Sequence, residues 1–269
     1  MALKLFVQAT LAYYFPEPAE VLLLLEAARN QTQVVRNEQL VITPGGPVAR
    51  LDDSHTGERR AVFTATGEVE IRYSAIVDVW ATDVALRRAL AWPVRDLPPE
   101  ALSYLLPSRY CPSDRFHDFV DQEFGAHAGG DQVLAILDWL TANLEYRGDV
   151  SDVRSTAMDT FHTRAGVCRD FVHLAVTFCR AANLPARAVS AYAWELAPPD
   201  MHAVAEVFIG GRWQLFDPTG RAPVEGIVRV ATGRDAGDIA FMTVFGKTEL
   251  IAQTFAVTRL QSGLPGHPY

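Results

Sequence analysis

The apolar residues of this chain change period partway along, and no other feature constrains the fold as much. Glu68-Val69-Glu70-Ile71-Arg72-Tyr73-Ser74-Ala75 alternates polar and apolar residues, the pattern of a half-solvated antiparallel strand. Residues 4–14, 19–27, 59–65 and 68–80 are likewise rich in Val, Ile, Phe and Tyr. Pro16, Pro18, the Pro44-Gly45-Gly46-Pro47 turn and a polar stretch over 52–57 punctuate them. Several short strands with frequent turns predict an antiparallel, sandwich-like β module. The proline-spotted segment 92–110 reads as a linker.

Beyond residue 130 the period becomes helical. Asp131 is placed to cap a helix ending near Asn143, with Val133, Leu134, Leu137, Trp139 and Leu140 as its apolar stripe. Ser155 is placed to cap a short helix to about Thr163. A third helix is predicted over 167–182, where Phe171, Leu174, Ala175, Phe178, Cys179 and Ala182 fall at i, i+3, i+4, i+7, i+8 and i+11. Asn183 and Pro185 end it. Strands return over 187–194, 202–209 and 212–217. The expected class is α+β, with a β domain over 1–107 and a second domain over 108–269.

Composition narrows the functional classes. The 269 residues carry a formal net charge of −8 with no basic run, which argues against nucleic acid or an anionic membrane surface as partner. No apolar run approaches the roughly 20 residues of a membrane-spanning helix. Three cysteines cannot build a disulfide scaffold, and Cys168 and Cys179 on one helix would stand three turns apart. With no basic start and no cleavage site at the N-terminus, a soluble, reduced, cytoplasmic protein is expected. His162, Cys111, His117 and His127 lack metal-ligand spacing, and no His-Glu-x-x-His occurs. Gly246-Lys247-Thr248 resembles the end of a phosphate-binding loop, but position 241 is Phe where that loop needs Gly. No cofactor and no metal are expected.

Cys168 begins the third predicted helix. Unpaired backbone N–H groups and the positive end of the helix dipole favour thiolate over thiol there, as a cysteine nucleophile requires. The plain alternative is a small buried core cysteine. Gly210-Gly211 between two apolar runs predicts a two-residue hairpin turn pairing Ile209 with Arg212. In that register Val204 lies opposite Asp217, and His202 is diagonal to Asp217 on the same face, within side-chain reach. A His and an Asp thus converge on one sheet face, either as a surface pair or as the orienting half of a nucleophile–base–acid arrangement. His173 is off the face of Cys168 and reads as an interior polar group. Asp170 reads as a first-turn helix stabiliser, Glu206 as a structural ion-pair partner, and Trp194, Trp213 and Phe216 as core aromatics.

These residues carry a family resemblance. Ser155-Thr156-Ala157, Arg164-Ala165-Gly166-Val167-Cys168-Arg169-Asp170-Phe171, Leu184-Pro185-Ala186-Arg187 and Phe216-Asp217-Pro218-Thr219 resemble the transglutaminase-like superfamily, and most closely its bacterial cysteine-protease-like members. The resemblance extends more loosely to Tyr13-Tyr14 and to 104–114. It implies a papain-like catalytic core behind an N-terminal β domain, with Cys168 as nucleophile, His202 as base and Asp217 as its orienter. Met201-His202-Ala203-Val204 departs from the His-Ala-Trp common in the family, so Val204 stands where an aromatic is usual. The implied chemistry is acyl transfer at amide or peptide carbonyls through a thioester, with hydrolysis expected and a peptide or protein amide as substrate. Protein-glutamine transglutamination is the alternative acceptor reaction, and a non-catalytic binding module is the alternative of another class.

Overall fold

The computed structural model describes residues 2–80 and 86–260. Four strands open the chain: β1 (Ala2–Leu23), β2 (Gln33–Thr43), β3 (Ala49–Arg50) and β4 (Ala61–Trp80). β1 and β4 are long because each joins two runs that the sequence separates. Phe15 pairs with Gly67, and the register shifts between Phe15 and Ala19. Pro16 and Pro18 in that stretch lack the N–H groups a ladder needs, and Gly67 opposite takes φ of +66°. The ladder slips there without ending. Leu5, Val7, Ala9, Leu11, Tyr13 and Phe15 face the core at every second position, as do Val69, Ile71, Tyr73, Ala75, Val77 and Val79 across from them.

The helical half follows as α1 (Pro99–Leu102), α2 (His117–Phe124), α3 (Gly130–Asn143), β5 (Glu145–Tyr146), α4 (Ala157–Thr163), β6 (Ala165–Gly166) and α5 (Cys168–Ala181). The cap of α4 is Thr156 rather than Ser155. Thr156 and Asp159 exchange bonds in a capping box, with the Thr156 N–H donating to the Asp159 carboxylate at 2.8 Å. Ser155 instead accepts the N–H of Asp152 at 2.9 Å. Next come β7 (Ala186–Ala193), β8 (Met201–Ile209), β9 (Arg212–Phe216), β10 (Ile227–Gly233) and the short α6 (Ala236–Ile239). The second sheet runs in the order β10-β7-β8-β9, with antiparallel neighbours throughout, and α5 packs on it.

Two final strands, β11 (Met242–Phe245) and β12 (Glu249–Arg259), do not join that sheet. Both pair antiparallel with β1, making the first sheet six-stranded. Residues 242–259, which lie beyond the expected division at 107/108, therefore pair by hydrogen bonding with the N-terminal strands. The expected linker is also part of the packing. Trp92 meets the Phe208 ring edge-on at 5.7 Å, and Tyr104 meets Trp213 at 5.3 Å. Gly211 has to be glycine on two counts: its φ is +78°, and a Cβ would lie 2.6 Å from the Trp92 ring.

α5 is buried nearly all round, more than its apolar stripe foretells. Several of its polar residues are matched individually. The Arg180 guanidinium donates to the carbonyls of Ala186 (3.0 Å), Leu106 (3.1 Å) and Arg234 (2.7 Å). His173 stacks on Tyr110 at 5.1 Å and accepts the Ala236 N–H at 3.1 Å. Burial pushes its pKa down to about 4, so it is a neutral interior group.

The two sheets are joined by polar as well as apolar contacts. Tyr73 stacks on Tyr192, and Gln33 exchanges two hydrogen bonds with the backbone of Arg229. Glu206, fully enclosed, receives Arg187 at 2.6 Å and Arg229 at 2.8 Å. Glu206→Ala leaves two guanidinium groups without their acceptor, and we expect it to cost about 3–5 kcal/mol, read as a lower urea midpoint. A midpoint within error of the wild type would show that solvent reaches this pair.

Candidate functional site

The backbone around Cys168 is fixed from both sides. Val167, extended at φ −102°, precedes the helix and donates its N–H to Asp170 Oδ2 at 2.9 Å. Asp170 is fully buried and also accepts the Ser151 hydroxyl at 2.5 Å, tying loop 147–156 to the start of α5. Gly166 leaves room for that carboxylate, since a Cβ there would lie 2.6 Å from Asp170 Cβ. β6 pairs in parallel with β5, with Tyr146 beside Gly166. Asp170 is thus a helix-cap acid, as its sequence position predicts, and it also anchors the loop that presents Cys168.

The hairpin forms in the expected register, with Ile209 opposite Arg212 and Ala205 opposite Phe216. Asp217 follows directly, and His202 Nε2 and Asp217 Oδ2 are 2.9 Å apart with both side chains buried. The Asp217 carboxylate is the hub of the following loop. Its Oδ1 accepts the Thr219 N–H (2.9 Å) and hydroxyl (2.7 Å), and its Oδ2 accepts the N–H groups of Arg221 (3.2 Å) and Ala222 (3.1 Å). Burial would raise its pKa, but the bonds from His202 and Thr219 outweigh burial and hold the carboxyl below the usual carboxylate range.

That ionised carboxylate acts on the imidazole. Burial would lower the His202 pKa; the Asp217 hydrogen bond, then the Cys168 side chain, override it and raise the value to about 9. Nε2 is committed to Asp217, and Nδ1 is buried with no hydrogen-bond partner. Cys168, half-buried at the helix start, is the group that faces this ring. The three residues predicted from sequence therefore meet: a helix N-terminus supplies the sulfur, a central strand the imidazole, and the end of its hairpin partner the acid. Such an arrangement can hold a thiolate against an imidazolium and pass a proton between sulfur, ring and substrate.

Tyr146 has no counterpart among the sequence candidates. Its hydroxyl lies beside both the backbone N–H and the side chain of Cys168, and burial, then the sulfur's charge, raise its pKa. A single tyrosine just past a helix carries no motif; the parallel pairing of β5 with β6 brings it to Cys168. Cys111 and Cys179 lie apart from this group, fully enclosed, and burial pushes both thiols up to about 12. Among the described residues no grouping of three or more His, Cys, Asp or Glu side chains could hold a metal ion, and no helix is long and apolar enough to cross a membrane.

Residues 119–218, which contain all three side chains, match the family model described as the transglutaminase-like superfamily. The chain is similar over its whole length to a putative cysteine protease of Cytophaga hutchinsonii, at 34% identity, with a TM-score of 0.93 and 94% of that chain covered. It is also 31% identical over 123 residues to an uncharacterized protein of Mycobacterium leprae. That match spans 42% of this chain and 44% of the relative, so the chain aligns with less than half of that protein's length.

Proposed function

The chain belongs to the transglutaminase-like superfamily, and on that footing we propose that it is a cysteine-dependent hydrolase of peptide or protein amides. The carrying observation is Cys168 at the start of α5, facing an imidazole whose far nitrogen is held by a buried, ionised Asp217. Cys168 sulfur attacks the amide carbonyl carbon. The carbonyl oxygen takes up negative charge and is received by the Cys168 backbone N–H with the Tyr146 hydroxyl beside it. Collapse breaks the C–N bond, and the proton held on His202 goes to the leaving amine. The thioester is then attacked by water, which gives its proton to His202; the thiolate leaves and recovers the starting pair.

Water as acceptor is favoured by the full-length similarity to a protein described as a protease, and the same thioester met by a lysine amine would give transglutamination. The three unbridged thiols accord with work in the reducing cytoplasm.

The test is the rate of iodoacetamide alkylation at each cysteine, located by peptide mass spectrometry, in the wild type and in His202→Ala. Cys168 should react fastest at pH 7, and the substitution should slow it at least tenfold. Equal rates at Cys168, Cys111 and Cys179, or indifference of Cys168 to His202, would overturn the reading in favour of a non-catalytic module.

A further inference from the structure

Arg221 sits on the loop that encloses Asp217, and its side chain leans across the site. Its backbone N–H ends on the Asp217 carboxylate, while its guanidinium donates to the carbonyl of Ala197 at 2.5 Å. From there it covers the Tyr146 ring at 4.3 Å, and the hydroxyl of that ring lies beside Cys168. One cation thus stands a single aromatic ring away from the sulfur, held from the His–Asp side and resting on the helix side. Tyr146, 40% exposed, puts this contact at the open mouth of the site.

The neighbouring arginines are neutralised. Arg147 pairs with Asp149 at 2.8 Å, Arg154 with Asp152 at 3.0 Å, and Arg169 with the buried Asp170 at 3.2 Å. Arg221 has no carboxylate within ion-pair distance among the described residues, although it is exposed and Ala197 occupies only one edge of its fork. A guanidinium has five donors in a rigid plane, and the ligand that matches such a fork is a carboxylate.

We propose that Arg221 is a specificity residue that binds a carboxylate side chain of the acyl donor, so that amides flanked on the acyl side by Asp or Glu are preferred over neutral ones. This rests on Cys168 being the nucleophile. The stack on Tyr146 and the bond to Ala197 hold the fork in place before substrate arrives, so little order has to be gained on binding.

The experiment uses matched peptide vinyl sulfones with Glu or isosteric Gln at the first or second residue before the electrophile. Covalent labelling of Cys168 is followed in the full chain by mass spectrometry. In the wild type the better-placed Glu probe should label about tenfold faster than its Gln twin, the worth of one charge-assisted pair. Arg221→Ala and Arg221→Gln should erase that ratio, and Arg221→Lys should keep part of it. Because the readout is a ratio within each protein, a general slowing of labelling cancels. Equal rates for Glu and Gln in the wild type, or a Glu preference that survives in both variants, would overturn the proposal. Iodoacetamide separates the two levels. If that small neutral reagent finds Cys168 no faster than Cys111 and Cys179, the nucleophile reading fails and this proposal goes with it. If it finds Cys168 quickly while Glu and Gln probes stay equal, only the role of Arg221 is lost.

Discussion

Cys168→Ser is expected to lower turnover of an amide substrate by on the order of 10⁶ while leaving the fold intact. Serine matches the shape of cysteine, and position 168 is half-buried at the first turn of α5, so nothing in the core has to move. Its hydroxyl is a far weaker acid than a thiol, and the facing imidazole is already drawn into the protonated form at neutral pH. A proton-carrying His202 cannot also take the serine proton, so the machinery suited to a thiolate does not suit an alcohol. The measurements are steady-state hydrolysis and a urea midpoint on the same preparation. An unchanged midpoint with activity within tenfold of the wild type would remove Cys168 from the chemistry.

Asp217→Asn should follow at roughly 10⁴ in kcat/KM. The two carboxylate oxygens accept five hydrogens, from His202, Thr219 twice, Arg221 and Ala222. An amide turns one of those acceptors into a donor. Either the imidazole or the Thr219 loop then meets an N–H with an N–H, and the ring loses its orientation or the loop its shape. The pH profile tests the electrostatic half of this argument. In the wild type, activity should fall as pH rises through about 9, where His202 loses the proton owed to the leaving amine. Removing the Asp217 charge takes away the leading influence that raises the ring's pKa, so the alkaline limb should move to lower pH.

The same pair ties stability to pH. The raised His202 pKa gives stability that is complete below its ordinary value of 6.5 and is lost as pH climbs through about 9. The lowered Asp217 pKa gives stability that is present above its ordinary value of 3.8 and is lost as pH falls through its folded value. Between those limits both contributions stand.

Much of the site was legible because it depends on local geometry. A two-residue turn at Gly210-Gly211 fixes the hairpin register, and the register fixes which residues share a face with His202. Cys168 could be placed for a similar reason: a helix start is marked by the residues around it. Tyr146 could not, because its approach to the sulfur comes from a two-residue parallel pairing that follows a 14-residue helix, and no spacing rule spans that. Arg221 lay outside reach as well, since its partners are a ring and a carbonyl on other segments.

The pairing least visible in the sequence is that of β12 with β1. β12 is exposed at nearly every position, so it shows none of the alternation that marks β1 or β4. Its place is set by backbone pairing with β1, and backbone pairing leaves little trace in side-chain pattern. The proline breaks in β1 misled in the opposite direction, splitting one slipping ladder into two apparent strands.

That last pairing has a bearing on how the protein is made. Leu5 pairs with Arg259 and Tyr14 with Glu249, so one edge of β1 stays uncovered until residues more than 200 positions further along have been made. Through that interval β1 offers a row of unpaired N–H and C=O groups along an apolar face, the template on which nascent chains pair with one another. α5 and its sheet lie before β12 in the chain and are made before it. A protein halted in synthesis at about residue 240 would therefore carry an assembled Cys168–His202–Asp217 group beside an adhesive edge. Closing that edge with β12 is the step that removes the template.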